Sequence, residues 1–161
     1  MPGDQPTNNP EEQKRPIVLI AEDEAPIADA LAMVVEEAGY TAVIARHGEE
    51  ALKLARAQHP ALLITDLMMP YLDGAKLIAA LKEDAQRDGH PPIPIILMTA
   101  AGIWQVEHID ADALLLKPFE VEEIEDLLRR FLEQEDEAPG DEDTPHDDDT
   151  SKNEDDASST D

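Results

Sequence analysis

Five polar residues adjoin the ends of short apolar runs, and together their side chains suit phosphoryl chemistry at a metal ion. These residues are Glu22, Asp23, Asp66, Thr99 and Lys117. Three carboxylates crowded together would raise one another's pKa values unless a cation lay among them. Mg²⁺ fits this requirement, because it binds through a few carboxylates together with water and phosphoryl oxygens. Asp66 could then attack phosphorus as a nucleophile, while the metal and Lys117 neutralise the charge that develops.

Each of these residues also has an ordinary structural explanation. Asp66 could cap the helix that follows it, and Glu22 and Asp23 could be solvated loop acids. Lys117 could be a surface amine with a buried aliphatic stem. Thr99 could simply end a strand. The combination and its context, rather than any single residue, favour the functional interpretation.

Five apolar runs place the polar residues at the ends of strands. The runs are Ile17–Ala21, Thr41–Ala45, Leu62–Thr65, Ile93–Met98 and Ala113–Leu116. Their apolar residues are consecutive rather than alternating, which is typical of parallel strands covered on both faces. In an open parallel sheet the ligand site lies at the carboxyl ends of the strands. The polar residues are therefore expected to converge at that edge.

The segments between the runs show helical spacing, and glycine and proline mark where they end. The first helix begins near Pro26 and stops at Gly39; the second stops at Pro60 and the third near Gly89. The last helix carries an apolar stripe formed by Val121, Ile124, Leu127, Leu128 and Phe131. The fourth connection, residues 101–111, allows at most a short helix. The alternation predicts an α/β fold, a right-handed (βα)5 doubly wound parallel sheet.

Charge and composition limit the class of partner. The 161-residue chain has 12 Lys and Arg against 38 Asp and Glu, a formal net charge of −26, which argues against nucleic-acid binding. It has no Cys and no apolar run of the roughly 18–20 residues that a membrane span needs, so we expect a cytoplasmic protein with no membrane association.

The five histidines share no metal-ligand spacing and are predicted to be exposed loop residues. They are His47, His59, His90, His108 and His146.

The chain divides into three parts by composition. Residues 1–15 are rich in Pro and lack apolar periodicity, which predicts a disordered leader. Residues 16–134 form the predicted folded domain. Residues 135–161 contain no apolar residue larger than Ala and are predicted to be a disordered acidic tail, most simply a solubility element.

Four motifs resemble those of the receiver domain of two-component response regulators. They are Ile-Ala-Glu-Asp-Glu (20–24), Thr-Asp-Leu-Met-Met-Pro-Tyr-Leu-Asp-Gly (65–74), Met-Thr-Ala (98–100) and Leu-Lys-Pro-Phe (116–119). Their order and spacing cover about residues 16–134. The resemblance implies a flavodoxin-like sheet with strand order 2-1-3-4-5.

The resemblance also assigns a role to each site residue. Asp66 would be the phosphoacceptor, and Glu22 and Asp23 would hold Mg²⁺ with Asp66 and the backbone carbonyl of Met68. Thr99 and Lys117 would contact the phosphoryl oxygens. The Lys117–Pro118 peptide bond is expected to be cis, because it is cis in the family and X-Pro is the linkage for which cis costs little.

The implied function is that of a stand-alone, single-domain response regulator. A sensor histidine kinase or a phosphotransfer protein would donate the phosphoryl group to Asp66. Since no DNA-binding or enzymatic module is visible after residue 134, output would pass through contacts with an unknown downstream protein or through a phosphorelay. Such a domain catalyses its own phosphorylation and dephosphorylation but is not a conventional enzyme.

Two departures from the family pattern keep alternatives open. The family usually has an aromatic residue three positions before the lysine, where this chain has Leu114, and the segment from Thr99 to Lys117 is short, which predicts a truncated fourth helix. A receiver-like scaffold that works without phosphorylation is therefore one alternative. An aspartyl-phosphate phosphatase is another, although it would want a second acid two residues after the nucleophile, where this chain has Met68.

Overall fold

The computed structural model describes residues 15–100 and 106–133, and these residues contain five strands and four α-helices. The elements in chain order are β1 Ile17–Ala21, α1 Ala25–Glu37, β2 Thr41–Ala45, α2 Gly48–Gln58, β3 Leu62–Asp66, α3 Gly74–Asp88, β4 Ile95–Thr99, β5 Ala113–Leu116 and α4 Val121–Leu128. A π-helical turn, Arg129–Glu133, continues α4. The predicted leader and tail, apart from residue 15, lie outside the described residues.

The strands form one parallel sheet in the order β2-β1-β3-β4-β5, which confirms the predicted α/β architecture. Three of the five predicted strands have the predicted bounds. β3 and β4 each run one residue further than predicted, to Asp66 and Thr99, and β4 begins two residues later than predicted, at Ile95. The preceding Pro94 cannot donate a ladder hydrogen bond, which explains the later start.

Helices cover both faces of the sheet and create two apolar layers. Alternate residues of the strands pack with α1 and α4 on one face, around Ile20, Ile64 and Met98. The intervening residues pack with α2 and α3 on the other face, around Leu63 and Leu97. Burial on both faces is the reason that the strand sequences are continuously apolar.

The helix ends follow local chemistry. Gly39 has φ +99° after α1 and Gly89 has φ +74° after α3, left-handed conformations that glycine adopts without a Cβ penalty. Asp73 caps α3 by accepting a hydrogen bond from the Lys76 backbone N–H at 2.9 Å. At the start of α4, the Glu120 backbone N–H donates to the Glu123 carboxylate at 2.8 Å.

One sequence expectation about a side chain is corrected, and the apolar stripe of the last helix is only partly buried. Val121 begins α4 with 47% of its surface exposed, so the buried stripe starts only at Ile124, where the helix packs on the sheet. His47 is not an exposed loop residue. It is the N-cap of α2, it is partly buried, and its Nδ1 accepts a hydrogen bond from the Glu50 backbone N–H.

The fourth connection agrees with the expected truncation as far as it is described. Residues 101–105 lie outside the described residues, and residues 106–112 form turns rather than a helix. Val106 is buried in the same apolar layer as Leu97 of β4, and Ile109 and Ala111 are partly buried in that layer. In the part of the chain that the structure describes, no helix is both long enough and apolar enough to cross a membrane.

A polar cluster ties α2 to α3 and gives a pH prediction. Asp84 accepts hydrogen bonds from Arg56 at 2.7 and 3.2 Å and lies 3.2 Å from Arg87. The hydrogen bond from Arg56 is the main reason that the pKa of Asp84 lies below 3.8. A lowered pKa in the folded state means that the pair stabilises the fold above pH 3.8, and that this contribution is lost as pH falls through the folded-state value.

We therefore expect Asp84→Asn to lower the thermal unfolding midpoint near neutral pH, with the difference from wild type shrinking as the pH falls below 3.8 and through the lowered folded-state pKa. The measurement is a pair of melting curves across this pH range. Glu83→Gln, which changes the exposed neighbouring acid, serves as the control. A difference between Asp84→Asn and wild type that persists undiminished in acid would contradict the assignment.

Candidate functional site

The register of the sheet brings the sequence-predicted site residues to one edge. Adjacent strands align near their carboxyl ends through the pairs Ala21–Thr65, Asp66–Met98 and Thr99–Leu116. Glu22 and Lys117 directly follow β1 and β5, whereas Asp66 and Thr99 are the last residues of β3 and β4. Residues nearly a hundred positions apart in the chain therefore become neighbours at this edge.

Three carboxylates meet there. One ligand oxygen each from Glu22, Asp23 and Asp66 lies within 4.8 Å of the other two. Glu22 is completely buried, Asp66 is 8% exposed, and Asp23 is exposed at the mouth of the site. The cluster is thus half enclosed, with one side open to solvent.

Lys117 is the cation of this cluster. Its Nζ lies 3.0 Å from Glu22 Oε2 and 3.2 Å from Asp66 Oδ2. The side chain is only 17% exposed. The peptide bond between Lys117 and Pro118 is cis, as expected. A single ammonium group among three carboxylates leaves the site with excess negative charge.

The pKa of Glu22 lies above its usual value. The principal cause is burial, which disfavours the charged carboxylate, and the neighbouring Asp66 charge adds to it. Hydrogen bonds from the Glu24 backbone N–H at 3.1 Å and from Lys117 oppose the shift without cancelling it. The ionised form of Glu22 is therefore disfavoured by its surroundings, and an added positive charge nearby would stabilise that form.

The pKa of Lys117 is also raised. Burial acts against the charged ammonium, but hydrogen bonds to Glu22 and Asp66 and the attraction of both carboxylates outweigh it. Both partners of the pair shift upward because Glu22 is fully buried whereas Lys117 retains some contact with water. Lys117 is consequently a fixed positive charge beside Asp66 at neutral pH.

The donor set fits Mg²⁺. All three groups are hard oxygen donors, and Mg²⁺ is normally held by one or two carboxylates with several retained waters. Both oxygens of Glu22 already accept hydrogen bonds, Oε1 from the Glu24 backbone N–H and Oε2 from Lys117. Asp23 and Asp66 are therefore the stronger candidates for direct contact with the ion, and Glu22 suits contact through a bound water.

Two further predicted residues lie near this cluster, and their roles stay predictions. Thr99 is 1% exposed at the end of β4, next to the strand that ends in Asp66. The Lys117 backbone N–H donates to the Thr99 carbonyl at 3.0 Å, which joins these two site residues through the backbone. Met68 lies two residues after Asp66 and is 73% exposed. Its thioether sulfur is too soft a donor for Mg²⁺, so only its backbone carbonyl is a candidate ligand.

Gly74 is a structural requirement of the site. A Cβ at Gly74 would collide with the backbone carbonyl oxygen of Asp66 and would lie 3.0 Å from the Cα of Leu67. The Gly74 N–H donates to the Leu67 carbonyl at 2.9 Å, which closes the loop between β3 and α3. The buried Thr65 hydroxyl also donates to the Asp66 carbonyl, at 3.0 Å. In the sequence, the Asp73-Gly74 pair is the only signal of this close approach between Gly74 and the Asp66 carbonyl.

Leu114 occupies the position where the family pattern usually has an aromatic side chain. It lies on the edge strand β5 opposite Leu97, and its side chain is 37% exposed. Leu116, on the same face of β5, is 46% exposed. No aromatic ring is therefore available at this position to pack with Thr99.

A family model described as the response regulator receiver domain matches residues 18–129. A probable transcriptional regulator ycf27 from Porphyra purpurea is 35% identical over 130 residues, covering 78% of this chain and 51% of its own length. The chain thus spans about half the length of that curated relative.

Solved structures show the same fold. The receiver domain of the Francisella response regulator 1452 is 28% identical with a TM-score of 0.67, covering 75% of this chain and 99% of its own. The receiver domain of Saccharomyces cerevisiae Ssk1, crystallised with the histidine phosphotransfer protein Ypd1, has a TM-score of 0.68. It covers 73% of this chain and 88% of its own, and at 19% identity it shows the fold alone.

Proposed function

The chain belongs to the response regulator receiver domain family, and from that premise we propose that Asp66 accepts a phosphoryl group from a phosphohistidine. The observation that carries the proposal is the contact of Lys117 Nζ with Asp66 Oδ2 at 3.2 Å, inside a cluster of three carboxylates. This arrangement pairs a nucleophilic oxygen with a fixed positive charge. The acidic pocket beside them suits a divalent ion.

The transfer requires one bond to form and one to break. Oδ1 of Asp66, the oxygen not held by Lys117, attacks phosphorus, and the bond between phosphorus and the donor's imidazole nitrogen breaks. The nitrogen keeps the electron pair. The imidazole leaves as a neutral group when its other ring nitrogen carries a proton; otherwise it leaves as imidazolate and takes a proton from water. Asp66 then carries an acyl phosphate.

Several groups around Asp66 assist this step. Lys117 stabilises negative charge on the transferring oxygens, and the Thr99 hydroxyl donates a hydrogen bond to one of them. Asp23 and Asp66, with the Met68 carbonyl, would hold Mg²⁺, which when bound supplies further neutralising charge. Glu22 orients Lys117 through the 3.0 Å ion pair.

The donor is proposed to be a sensor histidine kinase or a histidine phosphotransfer protein, acting in the cytoplasm. Family membership supports a partner of this kind, and one receiver domain of the same fold, that of Ssk1, is crystallised with the histidine phosphotransfer protein Ypd1. Phosphorylation would change the charge at the strand ends and shift the surrounding loops between two packings, which a downstream protein reads. We propose that output passes through such contacts or through a phosphorelay.

Incubation of the full chain with acetyl phosphate and MgCl₂ tests the proposal. We expect the intact mass to rise by one phosphoryl group, and we expect EDTA to prevent the gain. Hydroxylamine should remove the group, because an acyl phosphate is a mixed anhydride of a carboxylic acid and phosphoric acid, and hydroxylamine attacks its carbonyl carbon and releases phosphate. No gain in mass would support the phosphorylation-independent scaffold instead. Continuous release of phosphate without accumulation would support a phosphatase.

A further inference from the structure

The loop that follows Asp66 contains a strained turn. Tyr71 has φ +70°, a left-handed conformation that is an outlier for a bulky residue. The Leu72 N–H donates to the Pro70 carbonyl at 2.9 Å, which closes a three-residue turn around Tyr71. A γ-turn with positive φ at its centre is the rare and strained form. Such a conformation persists only where neighbouring structure holds it.

The start of α2 is the neighbour that holds this turn. The rings of His47 and Tyr71 pack edge to face, with centroids 5.4 Å apart and planes at 71°. The His47 ring is itself fixed, because its Nδ1 accepts the Glu50 backbone N–H at 3.2 Å as the cap of α2. The loop containing Tyr71 therefore packs against the His47 side chain, whose position is fixed by its hydrogen bond at the start of α2.

Gly48 adds a second contact between the same two segments. A Cβ at Gly48 would collide with the Leu72 carbonyl oxygen and would lie 2.6 Å from the Leu72 Cβ. The backbone of Leu72 thus rests directly on the first residue of α2. Together, His47 and Gly48 fix Tyr71 and Leu72 from one side, while Gly74 fixes the loop against Asp66 from the other.

We propose that Tyr71 and His47 are a positioning pair for the phosphoacceptor loop. The pair touches no substrate. It sets the position of Met68, three residues before Tyr71, and through it the geometry offered to Mg²⁺. The inference rests on the proposed function, in which the Met68 carbonyl is a metal ligand. Residues that orient metal ligands from outside typically change metal affinity by about 10–100-fold when replaced.

The test is Mg²⁺ titration of the full chain by calorimetry, with MgCl₂ as the only ligand. We expect Tyr71→Ala to weaken Mg²⁺ binding by about tenfold. We expect His47→Asn to do the same, because Asn still caps a helix but carries no ring. The double variant should bind Mg²⁺ no more weakly than either single variant, because both substitutions remove the same contact between the two rings.

Three controls separate positioning from stability. Tyr71→Phe keeps the ring and should restore wild-type affinity. His59→Asn makes the same change at the other end of α2 and should have no effect; Asn tolerates the left-handed conformation that His59 adopts. Because the Tyr71 side chain is 82% exposed, Tyr71→Ala should leave the thermal midpoint nearly unchanged.

Wild-type affinity in both Tyr71→Ala and His47→Asn would overturn the inference, and so would losses that simply add in the double variant. Failure of wild type to bind Mg²⁺ would overturn it as well. A wild-type protein that binds Mg²⁺ but accepts no phosphoryl group would overturn the proposed function alone, since the Mg²⁺ titrations would still decide the role of the pair.

Discussion

Asp66→Asn should abolish phosphoryl incorporation from acetyl phosphate while leaving the fold intact. The amide has nearly the shape of the carboxylate and can still accept a hydrogen bond from Lys117, which lies 3.2 Å from Asp66 Oδ2. It lacks the anionic oxygen that attacks phosphorus, so no acyl phosphate can form. The expected result is a fall in product to below detection by intact-mass measurement.

Asp73→Asn is the matched control for this experiment. Asp73 is another acid of the same loop, and it caps α3 through the Lys76 backbone N–H. Asn is as good a cap as Asp, so this variant should be phosphorylated like wild type. Phosphorylation of Asp66→Asn at the normal rate would show that the acceptor is another residue.

Lys117→Met should have two large effects, one on stability and one on phosphorylation. Removing the ammonium leaves Glu22, which is completely buried, and Asp66 without their cation. Breaking a buried ion pair from one side costs roughly 3–5 kcal/mol of unfolding free energy, and the lower end is expected because Lys117 keeps 17% exposure. Loss of a donor aimed at developing charge should slow phosphorylation by about 10²–10³-fold.

The stability loss should depend on pH and on Mg²⁺. Burial already raises the pKa of Glu22 above 4.5 in wild type, and loss of Lys117 should raise it further. The part of the cost that falls on Glu22 requires its ionised carboxylate, so this part should be largest above the folded-state pKa of Glu22 and should be lost as the pH falls through that pKa. Mg²⁺ should stabilise the variant more than wild type, because it supplies the missing positive charge.

Urea unfolding with and without MgCl₂, together with acetyl phosphate kinetics, measures both effects. Lys82→Met is the control, since Lys82 pairs at 2.6 Å with Asp110, whose side chain is 86% exposed. Surface pairs of this kind contribute little to stability. A Lys117→Met protein that is as stable and as readily phosphorylated as wild type would contradict the role given to Lys117.

The amino-acid sequence by itself determined the elements and their order along the chain. Continuously apolar runs such as Leu62–Thr65 identify strands, because a strand that is covered on both faces has apolar side chains on both. Gly39, Pro60 and Gly89 mark helix ends because their constraints are local to the backbone. The grouping of Asp66 with Glu22 and Lys117 followed from the fold class, since parallel strands end at a common edge.

Only the tertiary structure decided how these elements meet. Gly74 must lack a Cβ because the Asp66 carbonyl approaches it, and His47 is partly buried because the loop containing Tyr71 packs on it. Val121 is exposed although it belongs to the apolar stripe of α4. These features depend on distances between segments remote in the chain. Apolar periodicity, which reports only which face of one element avoids water, cannot encode such distances.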